Sequence, residues 1–314
     1  MEKIKKASFI RQDADFETVI PVFKKVVWAD KKVSRATLSI SALGFYEAFI
    51  NDKRVGKFIF APGWTSYETR LQVQQYNVTQ LIEECNVIDI AVGTGRRMHG
   101  RANEELPDLH SRETALIACL SFEYEDGTSE DFVTDGSWEC YKSNILYSDI
   151  YNGETVDYNA VTDEKYPVRT VDVNKDILIP TEGEQTREMA RIGAAEIIVT
   201  PLGETVIDFG QEITGYVEWK VPAKKGRKFR IYHAEFLDRD GNFYTENLRS
   251  AKNVIEVVSD GEEHIFKPRF SFQGFRYIKL ENFDFSEIKA EDFSAVVVFS
   301  DMKRTGFFAC GDEL

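Results

Sequence analysis

Histidine and cysteine are both scarce in this sequence, with four of each, and there are only eight prolines. The histidines, at positions 99, 110, 233 and 264, are too thinly spread for a histidine-rich metal centre. Cys85, Cys119, Cys140 and Cys310 lack C-x-x-C spacing, which excludes a zinc ribbon or a paired redox motif; reduced, mostly buried thiols are expected. No apolar run approaches the roughly 18 residues of a membrane-spanning helix, and the opening MEKIKKASFIRQDADF has no apolar secretory core. A cytoplasmic protein with no membrane partner is the resulting expectation. Also missing are a G-x-S-x-G elbow, a P-loop, an H-E-x-x-H pair and a glycine-rich dinucleotide fingerprint, and GTGRR at 93–97 is too short to cradle a phosphate. Positive charge is in deficit: 39 basic against 53 acidic side chains leave a formal charge of -14, which argues against nucleic acid as a partner.

What remains is a text of strands. At 314 residues the chain is long enough for two modules. Ala36, Leu38 and Ile40 alternate with polar residues, a second run spans Phe45 to Ile50, and Asn51 and Asp52 punctuate a hairpin into Arg54 and Val55. Further strands are expected at Leu71 to Tyr76, Asn86 to Val92 and ALIACLSFEY, with a short helix around Thr79 to Glu84. In the Asp-Gly pairs at 126–127 and 135–136, glycine fits turns that need positive φ. Residues 160–190 are charged and hold Pro167 and Pro180, so a junction is expected there, the next module's first strand beginning near Val168. At least six strand candidates follow, with no helical pattern of 10 to 15 residues between them. The expected fold is mainly β: two antiparallel, jelly-roll-like β-sandwich modules over 1–160 and 161–314, with few short helices.

Three polar clusters are candidates for binding. Trp64, Tyr67 and Arg70 stand together in APGWTSYETRL, where an aromatic face stacks on a sugar ring and a guanidinium holds hydroxyls; the alternative is that Trp64 plugs the sandwich edge and Tyr67 caps it through a backbone hydrogen bond. Asp149, Asn152 and Glu154, with Asp157, offer hard oxygen ligands compatible with calcium, although without EF-hand spacing, and a polar turn explains them equally. His233, Glu235, Asn247 and Arg249 lie in YHAEFLDRDGNFYTENLRSAKN, which holds more hydrogen-bonding groups than a hairpin needs. They are read either as an internal network or as a surface facing another domain or a sugar, with Arg249 supplying paired donors to a carboxylate. No catalytic residue and no cofactor is assigned from these patterns, since sequence separation cannot test the spacing of a carboxylate pair.

Taken in order, SISALGFYEAFINDKRVG, APGWTSYETRLQVQQYNVT, ILYSDIYNGETVDYNA, IDFGQEITGYVEWKV, YHAEFLDRDGNFYTENLRSAKN, FKPRFSFQGFRYIKLENF and FSDMKRTGFFAC resemble the amino-terminal, non-catalytic half of a bacterial alpha-L-rhamnosidase, an inverting glycoside hydrolase with an (α/α)6 catalytic barrel. The resemblance runs from about residue 35 to 310. It implies a carbohydrate-binding-like sandwich, a second sandwich, and a catalytic domain of the same polypeptide as partner, with the hydrolytic carboxylates beyond these residues, so that the chain reads as a truncated fragment. Scaffold and substrate-entrance modules are the implied role. A rhamnose- or other carbohydrate-binding module and a standalone structural β-sandwich protein are the alternatives. Some relatives bind rhamnose through calcium in the first sandwich; here Arg96, Arg97 and Met98 replace an aromatic platform and Asp52 follows Asn51 where glycine is common, which argues against such binding. In IDFGQEITGY, Asp208 and Gln211 are expected to fix a turn while Gly210 and Gly215 permit close backbone approach.

Overall fold

The computed structural model describes residues 1–96, 114–160 and 163–311. Nearly all regular structure is strand, with one helical turn at Glu2–Lys5 and a few 3-10 turns, as the composition predicts. The strands form two large curled sheets.

The first sheet folds over itself. Tyr166–Val171 is the bend, since its first two residues pair with Glu139–Lys142 and its last four with Phe9–Gln12. Leu38, Ile40, Leu120 and Phe122 from one half then face Phe23, Ile88 and Ile90 from the other in a common core. ALIACLSFEY is apolar almost throughout because both its faces are covered: Leu116, Ala118, Leu120 and Phe122 meet that core, while Ala115, Ile117 and Cys119 pack with Ile4, Leu71 and Leu178 on the opposite side.

The second sheet is organised by the 17-residue strand Thr205–Val221, which pairs with Gln273–Glu281, Phe293–Ser300, Glu196–Val199 and His264–Phe266. Its register shifts between Asp208 and Ile213. There Asp208 accepts the Gly210 N–H at 2.6 Å and Gly210 sits at φ +75°, so the bend is built by Asp208 with Gly210, where Asp208 with Gln211 was expected. Gly215 permits the anticipated close approach, because a Cβ there would lie 1.8 Å from the Val296 carbonyl oxygen. Trp219, 1% exposed, anchors the core against Phe229, Phe266, Phe283 and Phe293.

Several expectations need correction. The chain crosses between the sheets on both sides of residue 160: Ile145–Asp149 and Gly153–Asp157 lie in the second sheet, whereas Tyr166–Val171 and Leu178–Pro180 lie in the first. Val168 therefore closes the first sandwich instead of opening the second, for it is needed at the bend and its side chain joins the first core. The sheets are mixed, since Gly153–Asp157 runs parallel to Val254–Val258 and Leu178–Pro180 runs parallel to Leu71–Asn77. The helix around Thr79 shrinks to a 3-10 turn, Thr79–Leu81. Gly127 has φ +80°, but Gly136 has no positive φ. Cys119 and Cys140 are buried, Cys85 is half-buried and Cys310 is exposed.

Candidate functional site

The polar clusters meet different fates. In the first, Trp64 is 69% exposed while Tyr67 turns inward, its hydroxyl donating to the Gly63 carbonyl at 2.9 Å. Arg70 is drawn away into an ion pair with Glu182. Arg96, which the sequence offered only as the loss of an aromatic platform, supplies the third member of a stack. Its guanidinium carbon lies 4.4 Å from the Trp64 ring centroid and 5.7 Å from that of Tyr151, and its Nη1 donates to the Tyr151 hydroxyl at 3.0 Å. Trp64 and the 149–157 segment, far apart in sequence, are thereby brought to one exposed face.

The calcium-compatible oxygens of the second cluster are already occupied. Asp149 Oδ1 accepts the N–H groups of Tyr151 and Asn152 at 2.9 and 2.7 Å, and Asn152 Oδ1 accepts from Lys252 N at 3.3 Å. Among the described residues no group of three His, Cys, Asp or Glu side chains gathers to hold a metal. Glu154 is 1% exposed, and its carboxylate accepts Arg269 N–H at 3.1 Å and Phe270 N–H at 2.9 Å. Burial pushes it up to about 7, against the pull of those two amides and the Arg269 charge.

That carboxylate sets the geometry of a junction between the sheets. By fixing the backbone at 269–270 it aims the Arg269 side chain at Glu47 of the first sheet, whose other oxygen takes Arg54 Nε at 2.6 Å. Burial of Glu47 is outweighed by these two guanidinium groups, which hold its carboxyl below the usual range. Phe270 meanwhile presses on Gly93 at the end of a first-sheet strand, where a Cβ would fall 2.5 Å from the ring. Phe45, Phe60 and Phe272 continue the contact, with centroids 5.3 and 5.1 Å apart. Neither Glu47 nor Arg269 stood out in the sequence, because the two are more than 200 residues apart; a Glu set among apolar residues in FYEAFI was the available signal.

The third cluster also divides. His233 is fully buried, its Nδ1 shares a hydrogen bond with the Asn253 carbonyl at 3.0 Å, and burial pushes it down to about 4, so it packs within the core. Glu235 stays at the surface and accepts from Asn247 Nδ2 at 2.9 Å. Arg249, at φ +58°, makes no ion pair among the described residues; its φ > 0 backbone follows the short turn Glu246–Leu248. Glu212 was not singled out by sequence. Its Oε1 and that of Glu235 both lie 3.6 Å from the point where a Cβ on Gly274 would sit, so the two oxygens are within about 7 Å of each other. Burial and then the Glu235 charge push Glu212 up to about 7.

These features can be set beside known proteins. The model of the alpha-L-rhamnosidase N-terminal domain matches residues 31–189, and that of the bacterial alpha-L-rhamnosidase concanavalin-like domain matches 198–299. An alpha-L-rhamnosidase of Streptomyces avermitilis is 36% identical over 267 residues, which are 81% of this chain and 26% of that protein. The structure of native alpha-L-rhamnosidase from Aspergillus terreus superposes with a TM-score of 0.89 at 29% identity, covering 98% of this chain and 38% of that one. That of the Streptomyces avermitilis enzyme in complex with L-rhamnose gives 0.83 at 31% identity, covering 90% and 29%. The chain spans about a quarter to two fifths of the length of these relatives. No helix among the described residues is long and apolar enough to cross a membrane. With one family model covering half of its residues and the next domain's model following in order, the chain belongs to the alpha-L-rhamnosidase family, of which it carries the N-terminal and concanavalin-like domains.

Proposed function

We propose that this chain is the non-catalytic scaffold of an alpha-L-rhamnosidase-like glycoside hydrolase, supporting a catalytic domain of the same polypeptide and bordering the path of its rhamnose-containing saccharide. The observation that carries this reading is the junction built by Glu154. A buried carboxylate that sequence offers as a ligand is spent on the amides of residues 269–270, and through them on aligning two sheets. Met302, Phe307 and Phe308 are 71%, 80% and 85% exposed, an apolar group that suits cover by a further domain.

The test is turnover of an aryl rhamnoside by the purified chain, with none expected. Glu212, raised to about 7, and Glu235, whose oxygen lies within about 7 Å of it, are the carboxylates to test as a glycosidase pair. Hydrolysis that disappears in Glu212→Gln would overturn the scaffold reading.

A second reading, a carbohydrate-binding module, is favoured by the exposed Trp64 ring held against Arg96 and Tyr151. Calorimetric titration with L-rhamnose, with and without calcium, checks it: heat that is lost in Trp64→Ala supports the module, and no heat at millimolar sugar removes it.

A further inference from the structure

The free edges of the two sheets meet in a cleft. Lys53–Arg54 ends the first sheet and Thr186–Gly193 ends the second, and the Ile59 N–H donates to the Thr186 carbonyl at 2.8 Å to bridge them. Beside that bridge the cleft encloses roughly 400 Å³. This is large enough for a monosaccharide unit. Phe60 gives it an aromatic wall, and the buried rings of Tyr46 and Tyr216 lie beneath.

Its charge is opposite to that of the protein. Five cations line it, namely Arg54, Lys57, Arg187, Lys267 and Arg269, against the two carboxylates of Glu47 and Glu188. Both carboxylates are saturated with donors. Glu47 is held by Arg54 and Arg269, and Glu188 takes the Tyr216 hydroxyl at 2.6 Å, Lys267 Nζ at 2.5 Å and Arg191 at 3.5 Å. Asp301, outside the lining, pairs with Arg187 at 2.7 Å and still leaves a surplus of two positive charges in a chain whose net charge is -14. Two donors stand ready. Lys57 makes no ion pair among the described residues, and Arg187 keeps its Nε buried without a hydrogen-bond partner. An exposed ammonium without an ion-pair partner and a guanidinium whose side chain is 40% exposed, set in surplus positive charge, are chemistry that recognises an oxyanion.

We infer that this cleft binds a saccharide unit bearing an oxyanion, either the carboxylate of a uronate or a sulfate ester, held by Lys57 and Arg187 with its ring against the aromatic wall. The anion half of this inference rests on the cleft alone, while the saccharide half rests on the carbohydrate role proposed above.

Calorimetric titrations of the purified chain with D-glucuronate, glucose 6-sulfate, inorganic sulfate and neutral L-rhamnose separate the possibilities. One or both anionic sugars are expected to bind with a Kd of about a millimolar or tighter, to weaken at high ionic strength, and to lose about tenfold in affinity in Arg187→Gln and in Lys57→Gln. Which sugar binds identifies the carboxylate or the sulfate ester as the group read. Lys57 is exposed, so its variant keeps the test decisive should Arg187→Gln fail to match the wild-type thermal melt. Silence from both anionic sugars, or affinity unmoved by either substitution, overturns the inference. Inorganic sulfate binding as tightly as the sugars overturns its saccharide half. Rhamnose binding that survives both substitutions lies outside this cleft and bears on the Trp64 face, so the failure of one reading is not the failure of the other.

Discussion

The carboxylate of Glu154 accepts the backbone N–H of Phe270 at 2.9 Å from a position 1% exposed, and so fixes one of the segments through which the two sheets pack. Phe270 reaches Gly93 and Arg269 reaches Glu47, so one side chain in the second sheet governs an apolar and an ionic contact with the first.

Gly93→Ala is therefore expected to destabilise the fold by about 2–3 kcal/mol, since the new methyl group meets a buried ring with little room to move. Arg269→Gln leaves Glu47 with Arg54 alone. Because the Arg269 side chain is 29% exposed, the loss is smaller, about 1–2 kcal/mol. Urea denaturation of both single variants and the double variant measures the effects. A coupling between them of less than about 0.3 kcal/mol would show that the two contacts do not depend on one backbone segment.

The buried titratable groups pull stability in opposite directions with pH. Glu154 rises from an ordinary 4.5 to about 7, so it holds its proton longer folded than unfolded; its contribution is complete below 4.5 and is lost as pH rises through 7. Glu212 is raised in the same sense, but it lies at the surface, where solvent screening leaves it a smaller contribution. His233 falls from 6.5 to about 4, so its contribution is complete above 6.5 and is lost as pH falls through 4. In Glu154→Gln the downward slope between about pH 5 and 7 should shrink, worth up to roughly 3 kcal/mol across the window, with the acid-side loss due to His233 retained. Urea midpoints across that range check this; an unchanged slope would mean that Glu154 titrates normally.

Trp219 is the centre of the second core, within 6.4 Å of four phenylalanine rings. Trp219→Ala should cost about 3–5 kcal/mol, whereas Trp219→Phe, which keeps an aromatic ring and discards a buried indole N–H that has no partner, should cost less than half as much. Thermal melts of the two variants read the difference directly.

The strands were legible because alternation and turn residues are local. Asp208 and Gly210 could be read for the same reason, since their bond spans two residues of one strand, while Gly215 was legible because glycine itself marks close backbone approach. Strand exchange around residue 160 was hidden, because a charged stretch looks like a linker whether or not its strands return to the earlier sheet. The polar clusters share one structural feature. Tyr67, Asp149, Glu154 and His233 advertise binding chemistry, yet each satisfies an internal backbone group. The stacking role of Arg96 and the place of Glu212 escaped notice because their partners, Trp64 and Glu235, are neighbours only in three dimensions.

The hairpin at Asn51 and Asp52 gives two substitutions of opposite sign in a single turn. Both residues lie in the left-handed region, at φ +52° and +60°, where glycine has no Cβ penalty. The Asp52 side chain makes no hydrogen bond among the described residues, and its charge adds to the burial that raises the Asp89 carboxyl. Asp52→Gly should therefore stabilise the chain by about 0.5 kcal/mol, the relief of the left-handed backbone exceeding the entropy gained by the unfolded state. Asn51 has the same backbone but a different side-chain role: its Nδ2 donates to the Leu81 carbonyl at 2.9 Å and to Asn86 Oδ1 at 3.1 Å, while its Oδ1 accepts the Val87 N–H at 2.9 Å. Asn51→Gly strips those bonds and should destabilise by about 2 kcal/mol despite the easier φ. Urea denaturation of the two variants in parallel decides the matter. If both glycines shift the midpoint in the same direction, backbone conformation alone governs this turn and the Asn51 hydrogen bonds contribute nothing net.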